Sequence, residues 1–502
     1  MTEQGVCAKK TSGENAFLKG TVILSLGGLI AKIVGAIYRI PLTGMIGAEG
    51  IGLYQTVFPV YTAMLTLSST GLPIALSKIV SSKGEDSGIL LKSLAFYGTV
   101  GFIFSLLMFV LGGFFGKLQG VDGIGICYKA LAPSVFLVAI IACFRGYFQG
   151  KGNTSPTAVS QITEQIVKAL AGLICCKYFG STVLQKAFFA VVAVSISELA
   201  AVIYLSVRYL LYNSGKRDAP KEQIKSVKLK EILAVTVPVA VSSMAIPLGH
   251  IADSFIILNL LKKAGENAEG LFGLYSGCVP AVSGLPVAIA FAAAASAVPL
   301  LTKGDKYLPV IMRFTGFIAI PSALYLALFS REVISFLYGS LTPADLDTAA
   351  KLLTASSVEV ILISFLQTSN ACLIAKGKQK NAAIAMYIGL FVKIAVCFSS
   401  IYFLGFGIFG GVAGEIASLT VSCLFSFGFL KEKQNVPTLI YDIGKELLLS
   451  IICVLWGFYL NTMLNGTLWF IIISLSVAVC YLSFSIIFFG KRGLTLHRTQ
   501  QI

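Results

Sequence analysis

The sequence has few charged residues. Only 12% of its 502 residues are Asp, Glu, Lys or Arg, and 56% are hydrophobic, whereas about 25% of the residues in a soluble globular protein are charged. Apolar runs of about 20 residues, enough to cross the hydrocarbon core of a bilayer as a helix, recur from one end of the sequence to the other. This composition excludes a large soluble domain and predicts an all-α polytopic membrane protein.

The residues and motifs of common catalytic sites are also missing. The sequence has 2 histidines and 11 cysteines, without a CxxC pair and without a GxSxG, Walker A or HExxH motif. We expect no enzymatic activity, no metal site and no cofactor, and we leave open coupling to Na⁺, H⁺ or the membrane potential. The formal net charge of +16 does not indicate a nucleic-acid partner, because the cations lie mainly in short loops between apolar runs.

The apolar runs predict about fourteen transmembrane helices, since an open strand edge cannot satisfy its backbone groups in hydrocarbon. Pro238 and Pro247 predict kinks in the seventh helix. With the N-terminus inside, most of the 39 Lys and Arg fall on the inner side, which predicts that both termini are cytoplasmic. No cleavable signal peptide is expected, because a polar stretch precedes a long first span. The expected spans are residues 21–46, 51–76, 89–115, 126–148, 157–179, 186–212, 231–261, 273–301, 309–330, 351–375, 382–404, 408–430, 442–463 and 468–490.

Two halves of the sequence share short patterns in the same order. Gly52–Tyr54 reads Gly-Leu-Tyr with a proline five residues after the tyrosine, and Gly273–Tyr275 repeats this pattern. The fourth and tenth spans end near the similar pairs Gly150-Lys151 and Gly377-Lys378. Parallel repeats of this kind are typical of some transporters. We therefore predict two six-helix lobes and two further helices, in residues 1–230, 231–440 and 441–502.

Charged residues inside the spans are the candidate functional residues, because a lipid-facing charge costs at least about 2.5–3.5 kcal/mol. Lys32 and Arg39 are seven residues apart in the first span and share one helix face to within about 20°. A cationic stripe that faces a water-filled cavity indicates an anionic ligand. The alternative is that Arg39 snorkels to the interface while Lys32 pairs with an acid. The other charges expected within spans are Glu164, Lys168, Glu198, Asp253, Glu359, Lys393 and Glu415.

Asp253 lies six residues after Pro247 on the helix that is expected to kink. A carboxylate near freed backbone carbonyls can hold Na⁺ or a proton. Lys393 and Glu415 belong to the same site if the helices of the second half face one another, and Lys393 then acts as a tethered cation in place of a metal ion. The alternative is a buried ion pair that fixes helix register.

Glu164 and Lys168 are four residues apart with the acid first, which favours a local pair on one helix over a role in coupling. Glu198 and Glu359 are single carboxylates, for which we expect hydrogen bonds between helices. Arg145 lies at the inner end of the fourth span. It either anchors the helix by the positive-inside rule or contacts a phosphate that enters from the cytoplasmic leaflet.

Four stretches of the sequence resemble motifs of the stage V sporulation protein B family of polysaccharide transporters. They are Phe144–Gly150, Ser155–Gln161 together with Glu164-Gln165, Gly50–Gln55 and Gly71–Lys78. The resemblance covers essentially the whole chain. It implies a V-shaped bundle of two six-helix lobes, related by a pseudo-two-fold axis along the membrane normal, that alternates between inward- and outward-open states. The implied cargo is an undecaprenyl-pyrophosphate-linked sugar, in particular the peptidoglycan precursor lipid II.

The superfamily implied by this resemblance includes multidrug and toxin extruders, O-antigen flippases and lipid II flippases. In lipid II flippases the first helix carries cavity arginines, and Lys32 and Arg39 occupy a similar place here. A lysine keeps the charge but loses bidentate phosphate recognition. We expect a monomeric flippase whose partners are membrane lipids and a lipid-linked oligosaccharide for cell-wall or spore-cortex synthesis. The alternatives are a cation-coupled multidrug exporter and a non-transporting scaffold for envelope assembly.

Overall fold

A computed structural model of the chain describes residues 3–83, 87–214, 229–298, 301, 307–430, 436–464 and 466–493. The described residues form α-helices, one π-helical turn and no β-strand. The π-helical turn spans Leu274–Cys278. The helices are α1 (Glu3–Thr56), α2 (Phe58–Ser69), α3 (Leu72–Lys83), α4 (Ser87–Leu118), α5 (Gly125–Gly150), α6 (Ser155–Phe179), α7 (Val183–Ser214), α8 (Leu229–Ser243), α9 (Ala245–Lys263), α10 (Ala268–Gly273), α11 (Val279–Ala297), α12 (Leu308–Leu328), α13 (Ser330–Tyr338), α14 (Pro343–Ala375), α15 (Gln379–Tyr402), α16 (Phe409–Phe429), α17 (Val436–Met463) and α18 (Thr467–Gly493).

The helices have the length and apolarity of membrane spans. Within the described residues, 13 helical stretches are long and apolar enough to cross a bilayer. The first of them, Leu26–Ser82, has 57 residues. At about 1.5 Å per residue it exceeds two hydrocarbon thicknesses of about 30 Å, so it covers the first two expected spans. The prediction of an all-α membrane protein with about fourteen spans is confirmed.

Prolines and a glycine interrupt the long helices. The expected break in the seventh span is present, because α8 ends at Ser243 and α9 begins at Ala245, two residues before Pro247. In α1 the backbone leaves the helical region at Gly47, whose φ is 69°. Only glycine adopts this conformation without steric cost. The part of α1 after Gly47 therefore runs in a different direction from the part that carries Lys32.

The chain packs into two compact units. The first unit comprises Met1–Cys278 and Leu390–Gly414, and the second comprises Val279–Gly389 and Glu415–Ile502. In the first unit α1 packs against α6, α7 and α10, and α4 packs against α5. In the second unit α12 packs against α14 and α17, and α17 packs against α18. The predicted lobe boundaries at 230 and 440 stay predictions, and most of the basic loop that precedes residue 230 lies outside the described residues.

The ends of α5 and α14 have the same capping geometry. Lys151 caps α5 and Lys376 caps α14. The next residue in each case is a glycine with φ of +73°, Gly152 or Gly377, which closes the helix in the left-handed conformation. The same geometry follows α9, where Ala264 is the cap and Gly265 has φ of +78°, so it does not identify equivalent helices. The predicted repeat of Gly150-Lys151 and Gly377-Lys378 stays a prediction.

Candidate functional site

Lys32 lies on a face of α1 that differs from the apolar exposed face. Its side chain is exposed, and so are those of Ile30 and Ile37. At about 100° per residue, the two isoleucines project roughly 140–160° away from Lys32. Near Lys32 the helix approaches α6 at Gly35, because a Cβ on this glycine would lie 2.9 Å from the amide oxygen of Gln165. Lys32 therefore lies on the side of α1 opposite to Ile30 and Ile37.

Arg39 lies seven residues after Lys32 on the same face of α1, and it is half-buried. Its Nη1 donates a hydrogen bond to the carbonyl oxygen of Gly277 at 3.2 Å. In the described part of the chain no carboxylate forms an ion pair with this guanidinium. Its charge acts on the hydroxyls of Tyr38 and Tyr54 and on the ammonium of Lys168 on α6. Arg39 is thus a cation with a neutral hydrogen-bond acceptor and a second cation nearby.

Arg145 of α5 is held by two side chains of α6. Its Nε donates to Ser160 Oγ at 3.0 Å, and its Nη2 forms an ion pair with Glu164 Oε1. Glu164 is therefore paired between helices, and not with Lys168 as the spacing on α6 indicated. Ser160 and Glu164 are one helical turn apart on the face that meets α5, so the planar guanidinium can bond both.

Glu198 of α7 completes a charge network in the first unit. Its carboxylate interacts electrostatically with Glu164, Arg145 and Lys168. The network with Arg39 thus contains three cations and two carboxylates. Lys32 lies two helical turns before Arg39 on the same face of α1. Charges of opposite sign lower each other's free-energy cost of burial in a low-dielectric interior. Because positive charge is in excess here, the network favours the binding of an anion.

A second charged cluster joins α9, the π-helical turn and α15 within the first unit. Lys393 Nζ lies 2.7 Å from Asp253 Oδ2, and each side chain is only 5% exposed. The hydroxyl of Tyr275 can donate to the same carboxylate oxygen at 3.3 Å or to the carbonyl of Gly411 at 3.4 Å. The structure thus brings Asp253 and Lys393 together. Glu415, the third residue of this hypothesis, is half-buried on the part of α16 that belongs to the second unit.

Metal ligands do not gather at either cluster. Among the described residues no group of three or more His, Cys, Asp or Glu is arranged to hold a metal ion. In both clusters the carboxylate that a metal ion would bind is already paired with a side-chain cation. Asp253 is paired with Lys393, and Glu164 is paired with Arg145.

Sequence reasoning missed two charged residues of the second unit. Arg313 of α12 and Glu446 of α17 interact electrostatically, and Glu446 is 3% exposed. Gly316 leaves room for this carboxylate, because a Cβ there would lie 2.7 Å from Glu446 Oε2. Both residues fall inside predicted spans, so the same search for charges within apolar runs could have found them.

An apolar groove of about 620 Å³ lies in the second unit between α11, α12, α17 and α18. Pro286, Phe317 and Val477 are among the residues that line it. Its few polar groups are largely engaged, since Tyr481 donates to the carbonyl of Phe317 at 3.0 Å and Tyr325 bonds to Ser474 at 2.6 Å. A groove with this lining can hold a hydrocarbon chain.

Comparison with known proteins gives concordant results. A family model described as polysaccharide biosynthesis protein matches residues 17–304. The lipid II flippase MurJ of Bacillus subtilis (strain 168) is 28% identical over 420 residues, which are 76% of either chain. Stage V sporulation protein B of the same organism is 26% identical over 463 residues, 88% of either chain.

Solved structures of low sequence identity share the fold. A lipid II flippase MurJ in an inward-closed conformation matches with a TM-score of 0.68 and 17% identity, over 94% of this chain and 99% of the other. An inward-facing multidrug resistance MATE family transporter matches with a TM-score of 0.61 and 15% identity, over 80% of this chain and 94% of the other. The chain therefore shares the fold of these two structures.

Proposed function

The chain belongs to the polysaccharide biosynthesis protein family, and on this premise we propose that it is a monomeric flippase for an undecaprenyl-pyrophosphate-linked oligosaccharide. Lipid II is the cargo that we propose, for cell-wall or spore-cortex peptidoglycan. Transport by alternating access requires no bond to be made or broken, so no catalytic residue is assigned.

The observation that carries this proposal is the unbalanced positive charge around Arg39. Its guanidinium is bonded to a neutral carbonyl in the described structure, the charge of Lys168 acts on it, and Lys32 lies on the same face of α1. A pyrophosphate supplies several negative oxygens, and hydrogen bonds between charged groups are about twice as strong as neutral ones. We assign Lys32 and Arg39 to the pyrophosphate. The same excess of cations disfavours an organic cation as cargo.

Arg145 has a different part in the proposed mechanism. Because its guanidinium is engaged by Glu164 and Ser160, it holds α5 and α6 together around the anion site, and it reaches the cargo only after this pair opens. Glu164 and Lys168 belong to the same charge network. The groove between α11, α12, α17 and α18 would take part of the polyprenyl chain.

The pair of Asp253 and Lys393 would serve as a built-in replacement for a coupling ion. Lys393 Nζ already supplies the positive charge that Na⁺ would bring to the carboxylate. Energy for the cycle then comes from the membrane potential, which is worth about 2.3 kcal/mol per elementary charge per 100 mV.

Complementation tests the proposed function. Bacteria whose only lipid II flippase is being depleted would receive the wild-type chain, the Lys32→Ala/Arg39→Ala variant or a control, Lys129→Ala/Lys177→Ala, at equal abundance in the membrane. The control removes two exposed lysines that lie outside the network. We expect the wild type and the control to restore growth and the first variant to fail. Failure of the wild type would contradict lipid II as cargo, and rescue by all three would contradict the site.

A further inference from the structure

The C-terminal part of α1 crosses α10 at two glycines. A Cβ on Gly52 would overlap the carbonyl oxygen of Glu269, and a Cβ on Gly273 would overlap the carbonyl oxygen of Ala48. The contact is reciprocal, since each glycine meets the carbonyl four residues before the other. Gly52 and Gly273 are also equivalent positions of the repeated Gly-Leu-Tyr pattern. The crossing therefore joins corresponding parts of the two predicted lobes.

Two carbonyl groups of the π-helical turn accept hydrogen bonds from side chains of α1. Pro280 has no N–H, so it cannot donate to the carbonyl of Ser276 as a regular helix would. Gln55 Nε2 donates to that carbonyl instead, and Arg39 Nη1 donates to the next one, Gly277 O. Both acceptors are neutral carbonyls, and both donors come from the helix that carries the proposed anion site.

We propose that these two hydrogen bonds form a latch between α1 and the π-helical turn, and that a pyrophosphate group opens it by withdrawing Arg39 from Gly277. The inference rests on the proposed function for the identity of the anion. An anionic oxygen is the stronger acceptor for a guanidinium, so anion binding and the closed latch compete for the same group. Without the Arg39 bond, the single side-chain bond from Gln55 no longer holds the latch closed.

Linkage gives the proposal a distinctive consequence. If binding opens the latch, then weakening the latch must tighten binding by the same coupling. Gln55→Leu removes one latch bond and leaves Arg39 intact. An intramolecular hydrogen bond of ordinary strength corresponds to roughly a two- to tenfold change in an equilibrium constant, so we expect pyrophosphate to bind Gln55→Leu about two- to tenfold more tightly. A residue that only supported the site would weaken binding when removed.

The control is Gln149→Leu. Gln149 Nε2 bonds to Thr157 Oγ1 at 3.4 Å, within the first predicted lobe and away from the latch, so its loss should leave the affinity unchanged. Gln55→Asn provides a second latch variant, because a side chain one methylene shorter keeps its polarity and loses the reach to Ser276.

The experiment combines affinity and distance measurements on the full chain in lipid nanodiscs. Nitroxide amino acids would replace the exposed Glu49 and Glu266, which flank the crossing. Undecaprenyl pyrophosphate and inorganic pyrophosphate are added separately, to distinguish a lipid-borne headgroup from a free phosphate. We expect the label separation to lengthen on binding in the wild type, and the longer separation to be populated without ligand in both Gln55 variants.

The outcomes separate the latch from the function on which it rests. Unchanged label distances in the Gln55 variants without ligand, or equal or weaker pyrophosphate binding by them, would overturn the latch. If the wild type binds neither undecaprenyl pyrophosphate nor inorganic pyrophosphate, the anion site at Arg39 is overturned, and so is the competition between the anion and the latch. The label distances without ligand would still report whether Gln55 holds the crossing closed.

Discussion

Lys393 and Asp253 form an ion pair of 2.7 Å in which each side chain is 5% exposed. Removal of one partner leaves the other charge buried without its ion-pair partner, which costs about 3–5 kcal/mol. We expect Lys393→Met to lower the thermal stability of the purified chain strongly, and Asp253→Asn/Lys393→Met to recover much of the loss. The exposed pair Lys351 and Asp347 is the control, because Lys351→Met should cost less than about 1 kcal/mol. Equal losses for Lys393→Met and Lys351→Met would contradict the account.

The same pair predicts how transport responds to ions. With Lys393 in place, translocation should proceed equally well in Na⁺ and in choline buffers. Lys393→Ala exposes the carboxylate of Asp253 and opens space beside Gly249, which lies next to this lysine, so we expect the variant to gain a dependence on Na⁺. Transport and ion dependence that stay intact when Asp253 and Lys393 are both replaced would remove the pair from the mechanism.

The glycine crossing predicts a sharp difference between two glycine substitutions. Gly52→Ala places a methyl group on the carbonyl of Glu269, whereas Gly284→Ala in α11 meets no atom within 4 Å. We expect Gly52→Ala to force α1 and α10 apart and to lower thermal stability and transport. Gly284→Ala should be neutral or stabilising by about 0.4–1 kcal/mol. The idea of a close crossing would be wrong if both variants behaved like the wild type.

From the groove in the second unit we predict that substitutions in its lining slow the transport of a cargo with a lipid tail. Binding of the headgroup should not change. Ala478→Trp fills the groove, and Val479→Trp, one residue along α18, adds the same side chain at an exposed position. We expect Ala478→Trp to slow translocation of a polyprenyl-linked sugar severalfold while binding of inorganic pyrophosphate stays unchanged. Similar effects of the two tryptophans on translocation would argue against the groove.

Much of the fold follows from the sequence because the bilayer fixes the length and polarity of each span. Apolar runs of bilayer length became helices, and Pro247 marked the break before α9 because proline lacks the N–H that a continuous helix needs. The kink at Gly47 had no comparable signal, since a glycine in an apolar run is compatible with a straight helix as well.

The candidate site was less predictable, because a sequence gives spacing along one helix but not the rotation of one helix against another. The spacing of Glu164 and Lys168 suggested a local pair, and the neighbouring helix supplied Arg145 instead. Asp253 and Lys393 could be suspected of meeting because opposite charges in hydrocarbon need partners. Gln55 carried no signal at all, since its bond to the carbonyl of Ser276 depends on how α1 packs against the π-helical turn.

The most direct test of the central claim is translocation in a reconstituted system. The purified chain would be placed in vesicles with fluorescent lipid II, and the fraction that crosses the bilayer would be measured for the wild type, Lys32→Ala/Arg39→Ala and Lys129→Ala/Lys177→Ala. Loss of two charge-assisted contacts predicts at least about a tenfold slower rate for the first variant and an unchanged rate for the second. Translocation by Lys32→Ala/Arg39→Ala at the wild-type rate would contradict the account.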